Sequence, residues 1–243
     1  MKLIYAGAIS TALVIFLGVT MVAPYFMRTT HIGQQRNVGI VLSVAGEANA
    51  TAWCTDVASY LKGSGIKATV FFTGRVASAH PDAVSVFGEG VDVGSMTYSG
   101  VPLTSFSDYT IQLEEVQKGK QAVDSSGGFT SKLFKAPMGL VNEDIYSLLY
   151  RSGIVVDFSY NDHYNKVYEG QFIRMELKVF SGLGSKPEDI LSINELDEPI
   201  IVNFNNSVPS SFVFSYIEAL RIGGCRFLSA SEISGLDLTL RGG

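Results

Sequence analysis

At 243 residues the chain is long enough for one sizeable domain and a short appendage, and too short for two ordinary domains with a membrane segment. Its 23 acidic side chains outnumber 18 lysines and arginines, and no basic run or stripe occurs, which excludes nucleic acid and anionic lipid headgroups as main partners. The two cysteines, Cys54 and Cys225, lie far apart in no C-x-x-C arrangement, so a disulfide framework is excluded and free buried thiols are expected.

From Leu3 to Met27 no charged residue occurs, and Ile, Leu, Val, Ala, Gly and Phe dominate. As a helix this run rises roughly 37 Å at about 1.5 Å per residue, enough for a hydrocarbon core of about 30 Å. A cleaved secretory signal has a shorter apolar core, of about 7–15 residues, ending in a small-x-small site. Here no A-x-A precedes the end, and Pro24 follows Ala23 at the best cut. An uncleaved transmembrane anchor over residues 1–27 is the expectation. Lys2 on one side and Arg28 and Arg36 on the other leave its orientation undecided by charge. Residues 28–37, with Thr29, Thr30, Gly33, Gln34 and Gln35, read as a short tether to a domain over 38–243.

From Val38 onward strand-like and helix-like stretches alternate, the pattern of a parallel sheet with covering helices. Strands are predicted at Val38–Val44 and Lys67–Phe72, with a helix around Ala52–Lys62 between them that ends at Gly63 and Gly65. A helix over Ala77–Phe87, with Pro81 in its first turns, and a strand over Gly90–Gly94 follow. Asp108 starts a helix that stops near Ser125–Gly128, and Lys132–Ala136 is the next strand. A helix over Asn142–Arg151 ended by Gly153 leads to a strand over Ile154–Phe158. Between His163 and Asp197 the pattern is irregular. Pro199–Phe204, Phe212–Arg221 and Cys225–Leu228 then read as strand, helix and strand. Asn49-Ala50-Thr51 and Asn205-Asn206-Ser207 fit the N-glycosylation pattern and give weak support to an external location.

Several stretches carry a common pattern. The first strand runs Val41-Leu42-Ser43-Val44-Ala45-Gly46-Glu47, and the second Ala68-Thr69-Val70-Phe71-Phe72-Thr73-Gly74. Further on come Asp92-Val93-Gly94-Ser95-Met96-Thr97-Tyr98-Ser99-Gly100-Val101-Pro102-Leu103-Thr104 and Phe134-Lys135-Ala136-Pro137-Met138-Gly139. The last are Val155–His163, Ile200-Ile201-Val202-Asn203-Phe204-Asn205 and Cys225–Ile233. In order and spacing these stretches resemble the polysaccharide deacetylases, the NodB-homology family. That resemblance covers nearly all of Val38–Ile233 and implies an α/β fold, a distorted (β/α) barrel of the NodB type, here behind one transmembrane helix.

The resemblance also implies a site, and this chain departs from it throughout. The family writes T-F-D-D-G at the end of the first strand, one Asp acting as base on a metal-bound water and the other ligating the metal. Ala45 and Gly46 stand there and can do neither. Glu47, one place further on, reads as a solvated loop residue. Two ligating histidines of the family fall on Met96 and Gly100. Its arginine that orients the base falls on Lys135, which keeps the charge and loses the planar fork, and its groove tyrosine falls on Met138. The histidine acid falls on Phe204, which has no proton to give. Asp157, Asp162 and His163 form the densest group of ligand-type side chains and read as an irregular, solvated loop. His31 and His80 read as surface residues.

No H-E-x-x-H, G-x-S-x-G or P-loop replaces the lost set. The expectation is a membrane-anchored, catalytically inactive deacetylase-like domain facing outside the cytoplasm, without metal or cofactor. It would act by binding or scaffolding, with an envelope glycan or another membrane protein as partner. The rival expectation is an active metal-dependent carbohydrate N-deacetylase using non-standard residues.

Overall fold

The computed structural model describes residues 35–141, 145–159, 173–174, 178–193 and 199–241. The expected anchor, most of the tether, His31, Asp162 and His163 lie outside the described residues. Among the described residues no helix is long and apolar enough to cross a membrane. Arg36 and Asn37 belong to the folded domain and not to a tether. Asn37 opens the first strand, and the Arg36 guanidinium donates to the carbonyls of Leu191 and Ile193.

Strand β1 (Asn37–Val44) is buried along nearly its whole length, as its β-branched run requires of a strand covered on both faces. Helix α1 (Ala50–Ser64) buries Ala50, Trp53, Cys54, Val57 and Leu61 at helical spacing and ends on Gly65, whose φ of 64° a glycine adopts without strain. Strand β2 (Ala68–Phe72) follows, wholly buried. The single helix expected over Ala77–Phe87 is two short ones, α2 (Gly74–Ala79) and α3 (Pro81–Ser85). They break at His80, with φ −133° and ψ 65°, because Pro81 brings no N–H and forces the residue before it out of the helical region.

Strand β3 (Val91–Ser95) leads to α4 (Tyr109–Gly127), which Asp108 caps by accepting from Thr110 N at 2.7 Å. Next come β4 (Phe129–Ser131), β5 (Leu133–Phe134), α5 (Ile145–Arg151), β6 (Val156–Asp157) and β7 (Ile173–Arg174). The irregular region holds β8 (Lys178–Ser181) and α6 (Pro187–Leu191). The chain continues through β9 (Ile200–Asn205), α7 (Ser210–Ile222), β10 (Arg226–Phe227), α8 (Ala230–Ser234) and β11 (Thr239–Arg241).

All pairings of the main sheet are parallel, in the order β7-β6-β5-β3-β2-β1-β9-β8. Strand β10 pairs with the first two residues of β1 and β2 with its last four. Among the described residues β7 and β8 are the two ends of this order, so the sheet is a curled half-barrel and not a closed barrel. A second, two-stranded antiparallel sheet joins β11 to β4 and was not foreseen.

Alternation along the strands sorts side chains onto two faces. Ile40, Leu42, Val44, Val202 and Phe204 join the outer core under the helices, with Trp53, Val57, Ile217 and Leu220. Val41, Phe71, Met96, Leu133, Val156, Phe158 and Ile201 form the core on the inner face. Gly94 makes that face possible, since a Cβ there would lie 2.4 Å from the Phe71 ring and 2.8 Å from Leu133. Both cysteines are buried and unbridged, and burial pushes the Cys54 thiol up to about 12 and the Cys225 thiol upward too.

Candidate functional site

In parallel β/α sheets the reactive groups gather where strands end and loops begin. At that end β1 runs into Ala45 and Gly46, both exposed. Their amides donate to Asn206 Oδ1 at 3.2 Å each, and Asn206 Nδ2 donates back to the Gly46 carbonyl at 2.7 Å. One side chain from the loop after β9 thus closes the β1 turn. Glu47 turns outward into an exposed ion pair with Arg75 at 2.8 Å.

Beyond β3, Met96 is 2% exposed and its thioether packs into the inner apolar core. Gly100 has φ 81° on the loop that follows, a conformation for which glycine is suited. Helix α4 pins this loop. Glu115 Oε2 accepts from Ser99 N and from Ser99 Oγ, both at 2.8 Å, while the Glu115 carbonyl accepts from Tyr98 N at 2.9 Å. Close approach requires Gly119, where a Cβ would lie 2.3 Å from the Met96 carbonyl oxygen. Glu115 therefore anchors the loop.

After β5, Lys135 turns inward and is 3% exposed. Its Nζ donates to Ser43 Oγ at 2.7 Å, and Ser43 Oγ donates to Asn203 Oδ1 at 3.2 Å. Burial lowers the Lys135 ammonium pKa to about 8. Ala136-Pro137-Met138-Gly139 forms a tight turn with Met138 at φ 58° and 76% exposed. Asp157 is fully buried, and its Oδ1 accepts from Ser159 N at 2.9 Å and from the Ser159 hydroxyl. Ser159 Oγ in turn accepts from Ala136 N at 2.7 Å, tying the ends of β5 and β6 together.

Phe204 does not join this group. It is on the outer face, with its ring edge-on to Tyr216 at 5.2 Å and to Phe212 at 6.4 Å under α7. Motif matching had placed it at the site, but the strand's period of two gives the inward position of β9 to Asn203. Ala45, Gly46, Met96, Gly100 and Lys135 do lie on the loops and strand ends of one edge. Ser43, Asn203, Asn206 and Glu115 are the site residues that motif matching passed over. Alternation from Val41 to Ser43 and from Ile201 to Asn203 was the available signal for the first two.

A divalent metal does not fit these positions. Ala45, Gly46 and Gly100 offer no side-chain donor, and Met96 offers a soft thioether enclosed by hydrocarbon. Among the described residues no three His, Cys, Asp or Glu side chains are grouped to hold a metal ion.

Residues 42–156 match the profile of the polysaccharide deacetylase family, and the curled sheet has the fold of solved structures of that kind. Solved structures with this fold include a putative polysaccharide deacetylase from Mycobacterium smegmatis, with a TM-score of 0.67 and 15% identity over 88% of this chain and 95% of that one. A family 4 carbohydrate esterase from Streptomyces lividans gives 0.58 and 18% over 81% and 93%. A CE4 family pseudoenzyme from Bacillus anthracis gives 0.59 and 14% over 82% of this chain and 65% of that one. A mutant of that pseudoenzyme has restored enzymatic activity. No curated protein matches the sequence.

Proposed function

We propose that this chain is a polysaccharide-deacetylase-like domain that has lost metal-dependent deacetylation. In this reading it serves at the extracytoplasmic face of a membrane, held there by the apolar segment Leu3–Met27, as a binding or scaffolding element. One observation carries the loss of activity. The edge where the family's base and metal ligands are expected holds Ala45, Gly46, Met96 and Gly100, and its loops are closed by Asn206 and Glu115. Metal-assisted hydrolysis needs a Lewis acid and groups that move protons, and side chains of those types are missing from those positions. The Bacillus anthracis pseudoenzyme is a precedent for a silent member of this fold.

The test is acetate release from N-acetylglucosamine oligomers by the full chain supplied with zinc or cobalt. No release above the protein-free rate is expected, and metal-dependent release overturns the reading. Intact mass of the membrane-extracted protein should retain residues 1–27, and a mass cut near Ala23 sinks the anchor. Co-purification with one membrane protein in fixed ratio favours scaffolding, and binding of the isolated chain on a glycan array favours a lectin-like role.

A further inference from the structure

At the strand ends, one hydroxyl and one amine meet inside the half-barrel. Ser43 Oγ lies 2.7 Å from Lys135 Nζ, within the reach expected of a nucleophile and its base, and 3.2 Å from Asn203 Oδ1, which holds the hydroxyl from its other side. Strand β1 delivers Ser43 and strand β9 delivers Asn203 to the same inner face, and the residue after β5 brings Lys135 across from the other side. Below them Val41, Phe71, Met96, Phe158 and Ile201 form an apolar floor. Burial lowers the pKa of the amine to about 8, so its neutral, proton-accepting form is populated in mildly alkaline solution. Ser43 itself keeps 6% of its surface exposed, which limits access to small groups.

We infer that Ser43 and Lys135 form a serine–lysine pair in which Ser43 Oγ is a nucleophile toward small activated acyl esters. This chemistry uses no metal and goes beyond the scaffolding role proposed above. As Oγ bonds to the acyl carbon, neutral Lys135 Nζ takes the hydroxyl proton, the hydroxyl having rotated from Asn203 toward the amine. Collapse breaks the bond between that carbon and the leaving oxygen, which receives the proton from Nζ. The products are acyl-Ser43 and an alcohol. Water attacking the acyl-serine, with the same amine as base, returns Ser43 and a carboxylic acid.

The probe is a small alkyl fluorophosphonate added to the full chain in the presence of a chelator, with the adduct mapped by peptide mass spectrometry. A single adduct on Ser43 is expected, absent in Ser43→Ala. Lys135→Met with an unchanged circular dichroism spectrum should label at least about 100-fold more slowly, in line with the usual contribution of a general base. No adduct on Ser43 in the wild type overturns the inference, as does equal labelling of a folded Lys135→Met. If that variant fails to fold, the wild type set against Ser43→Ala decides the matter. Because the chelator is present throughout, metal-dependent acetate release would count against the silent-deacetylase reading and leave this one untouched.

Discussion

At the N-terminal ends of the strands, buried acidic and hydroxyl groups meet helix α8. Asp92 accepts from Ser231 N at 2.6 Å and from Ser231 Oγ at 2.9 Å, and Thr69 Oγ1 accepts from Ala230 N at 2.9 Å. Glu232 closes the Ser229 cap and pairs with Lys67. At the C-terminal ends the buried charges are the cation of Lys135, whose Nζ donates to the hydroxyl of Ser43, and the carboxylate of Asp157, which holds Ser159, and the exposed turn is tied by the neutral amide of Asn206. The base uses its charge where helix N–H groups would otherwise lack partners, so that charge stabilises the fold. The top holds a charge that burial disfavours. Polar groups kept at a stability cost are common at functional edges, and here they lie where the strands end.

The strongest way to break this contrast is Asp92→Ala. It removes two hydrogen bonds to a carboxylate, each contributing about 1.5–3 kcal/mol, so unfolding stability in urea should fall by about 3 kcal/mol. A loss below about 1 kcal/mol would mean that the base is not held by its charge.

Lys135 supplies the next largest effect. Its folded pKa, about 8, lies below the ordinary 10.5, so between these values the folded state binds fewer protons than the unfolded chain. The burial penalty is fully present below pH 8 and is lost as pH rises to about 10.5. At about 1.4 kcal/mol per pH unit, the stability of wild type relative to Lys135→Met should rise by about 2–3 kcal/mol across that window. Unfolding curves at pH 7.5 and 10.5 measure the difference directly, and parallel behaviour of the two proteins would remove the cation from the contrast.

The smallest effect belongs to the exposed turn. Asn206→Ala should cost about 1 kcal/mol, because solvent replaces most of what its amide provides. The local signature should be clearer than the global one, with faster amide exchange at Ala45 and Gly46 and none at Ser231. Unchanged exchange at Ala45 and Gly46 would show that the β1 turn stands without its clasp.

Strands β1, β2 and β9 were legible because a buried parallel strand is commonly a short, β-branched or aromatic apolar run, and the helices because glycines and Asp108 mark their ends. The break at His80 was written in Pro81, which reads as a first-turn residue of one helix over Ala77–Phe87 and instead opens a second helix. Strand β4 and its partner β11 were not legible, since each has only three residues and their pairing joins distant parts of the chain. The site was legible as a set of missing ligands. Its present contents were not, because the Lys135–Ser43 bond spans 92 positions and the Asn206 clasp 160 or more.

By itself, then, the amino-acid sequence determined the fold class and the absence of the family's ligand-type side chains from the matched positions, because backbone periodicity and side-chain functional groups are local properties. Only the tertiary structure decided that Phe204 faces outward and Asn203 inward, and that Glu115 and Asn206 hold the loops. It also decided that Lys135 lies beside Ser43 in a place dry enough to change its acidity. Those are properties of the space between strands, set by how the sheet curls and what the curl excludes.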